Sequence, residues 1–320
     1  MRCLAALAAP LVLANVAAAP AAAGDAPRLF VLSQDAGELA VIDTATDTVV
    51  KTLTLEAGPA SLALSTDGRR AFVTHPEAQK ISVIDLAQLT VLEVLPHPGT
   101  PFGIATDTHG RLYIGDWNRD VLSYVDGTLH DRAGEIVIGR SPAGVALSPD
   151  GKLAFAANRE SDTVSIITTN DWTLAATVPV GWAPFALAVS PDGARVYVAN
   201  VQGGSLSVID VKRRATTATI KVGAMPYGVA PTADGSKILV ANQQSGTVSV
   251  VDRQRGRVVA TVKVGRYPEG IAVLPDESKA YVANWFSGYV SVIDIASARE
   301  TKRIACGAGP RAMALAAGVP

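Results

Sequence analysis

Through most of this chain, short apolar runs alternate with polar turn-forming residues, and the stretch Val196 to Gly235 shows one full cycle of the pattern. Tyr197-Val198-Ala199 and Leu206 to Ile209 are β-branched and aromatic runs, bounded by Asn200, Gly203-Gly204 and Asp210. Such runs between turn-formers predict two short strands. Thr216 to Val222 alternates polar and apolar residues, as a half-buried outer strand does. Tyr227 to Pro231 is a small apolar segment closed by Asp234-Gly235, a hairpin signal because both residues tolerate positive φ. Beyond the N-terminus no segment has the length and 3.6-residue period of a helix.

The cycle repeats. The acidic residue that ends the V-I-D segment falls at Asp43, Asp85, Asp126, Asp210, Asp252 and Asp294, and Thr168 fills the one missing slot, a spacing of 41 or 42 residues throughout. Asp210 and its equivalents can close a turn through their own side chains. The hairpin turn recurs as Asp67-Gly68, His109-Gly110, Asp150-Gly151, Asp192-Gly193, Asp234-Gly235 and Asp276-Glu277, and a Gly-x-x-Pro element recurs at 181–184, 223–226 and 265–268. A single four-stranded sheet of this size cannot bury both faces, whereas sheets stacked radially can. Seven units predict an all-β, seven-bladed β-propeller over residues 24–320. The chain enters the pattern at the second strand, Arg28 to Ser33, and Pro310 to Ala317 has the pattern of the missing inner strand. The C-terminal segment should therefore close the ring beside the first blade and remove a free sheet edge.

The motifs Y-V-A-N at 197–200 and 281–284, S-V-I-D at 207–210 and 291–294, and S-P-D-G at 148–151 and 190–193 resemble the YVTN-family β-propeller repeat. The resemblance covers essentially the whole chain after residue 23. It implies the fold and leaves the activity open, since one superfold hosts many functions. Some proteins of that repeat family are associated with periplasmic quinone-dependent (PQQ) alcohol or amine oxidation systems, so the resemblance also implies an accessory role of that kind, although nothing in the sequence shows a quinone site.

Met1-Arg2, the apolar Leu4 to Val16 and the small residues Ala21-Ala22-Ala23 form the charge, core and cleavage pattern of a signal peptide spanning 1–23. The apolar run is short for a membrane span. A periplasmic or extracellular protein is expected, without a membrane span and monomeric. Cys3 would leave with the peptide. Cys306 then stands alone, in the slot that other units fill with Val180, Val222 or Val264, so a small buried apolar role is expected and no internal disulfide is available. There are 28 basic and 29 acidic residues, and no basic stripe. That balance excludes nucleic acid as the expected partner.

Chemistry is expected at one mouth of the central channel, where the loops leading into the inner strands meet the loops after the second strands. The position after the proline reads Ala60, Phe102, Ala143, Phe185, Tyr227, Glu269 and Arg311; two residues before it lie Arg140, Trp182 and Arg266; Trp117, Tyr267 and Trp285 flank it. Sister repeats manage with Ala or Gly, so these side chains suit a binding site, although packing between blades or a Glu269–Arg311 pair would equally account for them. The Asn slot reads Ser33, His75, Asp116, Asn158, Asn200, Asn242 and Asn284. Asn there suits a turn bonding its own backbone, whereas His75 and Asp116 depart from it. No G-x-S-x-G occurs, and His75, His97, His109 and His130 lack metal-ligand spacing. His97 and His130 fall in expected outer-strand regions and His109 in a hairpin turn. No cofactor motif is present.

The leading expectation is a non-enzymatic propeller that binds a protein partner or small ligand at the mouth. The alternative is a metal-assisted hydrolase using His75, Asp116 and Glu269, similar in architecture to lactonase-like propellers but without a residue-by-residue match to their metal ligands.

Overall fold

The computed structural model describes residues 26–126 and 132–316. The expected signal peptide and His130 lie outside them. Seven antiparallel four-stranded sheets form the blades of a propeller. Blade 5 is typical: from the centre outward its strands are Pro184–Val189, Arg195–Asn200, Ser205–Asp210 and Ala215–Lys221. The middle two are buried almost throughout, because both their faces meet neighbouring blades. The outermost alternates toward solvent, as its sequence pattern requires. The one helical turn among the described residues is the 3-10 turn Trp285–Ser287, and no described helix is long and apolar enough to cross a membrane.

Ring closure follows the expected course. Pro310–Ala316 pairs antiparallel with Arg28–Ser33 and supplies the inner strand of blade 1. Seven apolar clusters fill the seven blade–blade interfaces, and the closing one joins Leu29, Val31 and Ile42 of blade 1 to Tyr281, Val290 and Val292 of blade 7. Tyr281 also donates its hydroxyl to Asp47 Oδ1 at 2.6 Å, and Lys279 Nζ sits 2.8 Å from Asp47 Oδ2, so polar links tie the chain ends together as well. Cys306 is buried in that same cluster, and burial pushes its thiol up to about 12, which leaves it unreactive at neutral pH.

The Asn slot is a latch. Asn242 Nδ2 donates to Ser249 Oγ at 2.9 Å and to Thr247 Oγ1 at 3.2 Å, while its Oδ1 accepts the Gly223 N–H at 3.0 Å. Asn158 and Asn200 reach the serine seven residues on in the same way, Ser165 and Ser207, both at 2.9 Å. A β-carbon on Gly223 would lie 2.6 Å from Asn242 Cγ, so the glycine lets the loop close onto the amide. Replacing Asn242 with Ala strands these donors and acceptors in a buried site. A loss of about 1–3 kcal/mol is expected in urea unfolding, with an unchanged m-value.

Candidate functional site

The latch positions the mouth. Pro184, Pro226 and Pro268, each the first residue of its inner strand, lie opposite Asn200, Asn242 and Asn284, and a register shift follows each proline. Such an irregularity re-aims the next side chain. The residues just before these prolines, Ala183, Met225 and Tyr267, hold φ of 51°, 51° and 55°, which turns the chain sharply inward. Their carbonyls accept the N–H of the residue after the slot, as Met225 does from Gln243 at 2.7 Å, joining the two sets of loops. All seven post-proline residues, from Ala60 round to Arg311, consequently line one central cavity of about 250 Å³.

One side of this cavity is charged. Glu269 is only 2% exposed. Its Oε1 accepts from Gln243 Nε2 at 2.6 Å, and its Oε2 lies 3.2 Å from Arg311 Nε, outside hydrogen-bonding alignment. Arg311 is held in turn: Nη1 donates to Gln34 Oε1 at 2.7 Å and Nη2 to the Tyr227 hydroxyl at 3.0 Å. Gly228 makes this placement possible, since a β-carbon there would come within 2.0 Å of the Glu269 carbonyl oxygen.

Burial pushes the Glu269 carboxyl up to about 7, against the opposing pull of Arg311 and Gln243. Burial likewise pushes the Tyr227 hydroxyl up to about 12, so it stays protonated at neutral pH. A carboxyl raised from 4.5 to about 7 keeps its proton in the folded state after the unfolded chain has released it. Its contribution therefore makes stability fall as pH rises from about 4.5 to about 7, by on the order of 3 kcal/mol. Melting wild type and Glu269→Gln at pH 5 and pH 7.5 checks this: the wild type should lose stability relative to the variant at the higher pH.

The other side of the cavity is aromatic. Phe185 packs on Tyr227 with ring centroids 4.1 Å apart, and Phe102 contacts Trp117 at 4.9 Å and Phe185 at 5.7 Å. The Arg311 guanidinium sits 5.4 Å from the Phe102 ring, bridging the two halves. An outer chamber of about 300 Å³ opens among these rings, Met225 and Arg159.

The other candidates lie elsewhere. His75 and Asp116 are fully buried at the ends of their strands and do not line the cavity. His75 Nε2 pairs with Ser82 Oγ at 2.9 Å, which is the latch contact with imidazole in place of the amide. Asp116 Oδ1 accepts the backbone N–H groups of Thr100, Asn118 and Arg119 at 3.1–3.2 Å. The expected trio with Glu269 is thus a correction: among the described residues no cluster of His, Cys, Asp and Glu could hold a metal ion. Arg140 donates to the Glu160 carbonyl, and Trp182 is 68% exposed on the rim. Arg266, Tyr267 and Trp285 gather around the exposed Phe286 on the rim of blade 7, and Trp285 Nε1 donates to Asp35 at 3.1 Å. Sequence reading passed over Gln34, Arg159 and Gln243. All three occupy the slot that follows the Asn position, where only Trp117 and Trp285 drew notice; reading that whole column would have found them.

A family model described as "Lactonase, 7-bladed beta-propeller" matches residues 52–215 and 176–275. These matches span more than half of the chain. The chain belongs to the seven-bladed β-propeller lactonase family. This membership overturns the expectation of a non-enzymatic binding propeller and favours the hydrolase alternative. Among solved structures, this lactonase-family propeller is similar to a functionally unknown protein from Desulfotomaculum acetoxidans, with a TM-score of 0.79, 18% identity, and coverage of 91% of this chain and 99% of that one. A putative 6-phosphogluconolactonase from Bacteroides uniformis gives a TM-score of 0.78 at 17% identity, covering 91% of this chain and 100% of that one. Hydrazine synthase from Kuenenia stuttgartiensis gives 0.74 at 18% identity, covering 89% and 99%. At these identities the likeness is one of fold. No curated protein matches the chain.

Proposed function

We propose that this propeller hydrolyses a small cyclic ester in its central channel, with Glu269 as general base. The observation that carries the reading is a buried carboxyl raised to about 7, one of whose oxygens lacks an aligned partner, in the channel of a lactonase-family chain. In this mechanism Glu269 Oε2 takes a proton from water as the water oxygen attacks the ester carbonyl. The developing oxyanion is met by Arg311. A guanidinium carries five N–H groups; Gln34 and Tyr227 take one each and Nε faces Glu269, which leaves two. Collapse of the intermediate breaks the ring C–O bond, and the proton on Glu269 passes to the departing alkoxide, giving a hydroxy acid. His75 and Asp116 take no part.

The scaffold is of the YVTN repeat type in this reading, supported by the recurring Asn latch. Action in the periplasm or outside the cell is supported by the charge and apolar pattern of residues 1–23. The test is hydrolysis of δ-valerolactone and dihydrocoumarin, followed as acid release. Glu269→Gln should lower the rate by about 10²–10⁴ while keeping the wild-type fold at pH 5. Equal rates in the two proteins would reject the assignment.

A further inference from the structure

The charged half of the channel specifies where a carbonyl would react, and the aromatic half bears on what is attached to it. We propose that the preferred substrate is a lactone carrying an aryl or other flat apolar group, seated on Phe102, Phe185 and Trp117 with its carbonyl toward Glu269 and Arg311. This rests on the hydrolase reading above and goes beyond it by naming a substrate class.

Three features support it. The rings form one continuous wall, with Trp117 lying 6.3 Å from Phe185 and each of the three residues mostly buried but still partly exposed. Aromatic surface left partly exposed around a chamber is surface that a flat ligand would remove from water. The chamber of about 300 Å³ shares Phe102, Phe185, Tyr227 and Arg311 with the central cavity, so a group resting there stays continuous with one reaching Glu269. Finally, polar partners are scarce along the wall. Apart from the Trp117 indole N–H, only Tyr227, Arg159 and Arg311 among the residues lining the chamber carry polar side-chain groups. The Tyr227 hydroxyl accepts from Arg311, and Arg159 rides 5.8 Å above Trp117 and 3.6 Å from Glu160. A polyhydroxylated sugar lactone needs a hydrogen-bond partner for each hydroxyl it buries, and this wall presents ring faces instead.

Binding of two non-hydrolysable lactams, measured by calorimetry, tests the assignment without requiring turnover. The probes are 3,4-dihydro-2-quinolinone, which is aryl, and gluconolactam, which is polyhydroxylated. The aryl lactam should bind at least about ten-fold more tightly. Phe185→Leu and Trp117→Leu, which keep apolar bulk while removing a ring face, should each weaken it by about ten-fold and leave the sugar lactam unchanged. Melting curves of both variants verify the fold. Tighter or equal binding of gluconolactam, no binding of the aryl lactam, or indifference to both substitutions would overturn the proposal. Aryl-lactam capture by a protein that hydrolyses neither δ-valerolactone nor dihydrocoumarin would retain the pocket and reject the hydrolase reading, so the two failures are distinguishable.

Discussion

A protein truncated after Gly309 should yield no cooperative melt and little soluble material. The deletion removes the inner strand of blade 1 and leaves Arg28–Ser33 as an open edge in the middle of the ring. An open edge of this kind is a template for pairing with other chains. The deleted strand also carries apolar packing: Met313 and Leu315 lie against the blade 7 to blade 1 cluster, and Ala312 and Ala314 against the blade 1 to blade 2 cluster. Met313 and Leu315 are partly buried, so about 3–6 kcal/mol, the value for two fully buried side chains, is the upper bound on the transfer free energy they alone place at stake. A whole domain is commonly stable by only about 5–15 kcal/mol. The result should be visible as lost soluble yield on expression and a broad, low-temperature transition by circular dichroism. A truncated protein melting at the wild-type temperature would refute strand closure as the source of stability.

The second large effect is expected from Arg311→Met. Arg311 is the cation beside Glu269, at 3.2 Å, and both side chains are largely shielded from water. Removing one partner of a buried pair leaves the other charge without compensation, typically at a cost of about 3–5 kcal/mol. Glu269 has an alternative, which is to hold its proton. Its carboxyl should therefore move further above about 7, because burial would then act without the opposing pull of the guanidinium. The sign follows: the variant should be near wild type at pH 5, where Glu269 is protonated in both proteins, and progressively weaker as pH rises. Paired melts at pH 5 and pH 8 measure the gap. A uniform loss at both pH values would point to lost packing against Phe102 and away from electrostatics.

The repeat made the architecture legible because each blade must solve the same burial problem, so the same turn and strand chemistry recurs. Asp85, Asp210, Asp252 and Asp294 do close their turns, each accepting a backbone N–H three residues on at 2.7–2.8 Å. The channel was legible in the same way at Glu269 and Arg311, where a charge stands in a column that elsewhere holds Ala or an aromatic ring. Two readings failed for a physical reason. His75 and Asp116 are reactive side-chain types, but an acceptor or donor in that slot first satisfies its own loop. The clue was present in Ser82, which stands seven residues after His75 as Ser249 stands after Asn242. Gln243 escaped because only the aromatic members of its column, Trp117 and Trp285, drew notice, and its own role rests on the fold placing it 2.6 Å from the buried Glu269 carboxyl.

Lactone hydrolysis followed across pH in wild type and Arg311→Met tests the account most directly. Only the carboxylate form of Glu269 can accept a proton from water, so kcat/KM should rise with pH through an acid limb near 7, and that limb should move upward when the guanidinium is lost. A profile already flat at pH 5.5, or a limb that stays in place in the Arg311 variant, would contradict Glu269 as the base.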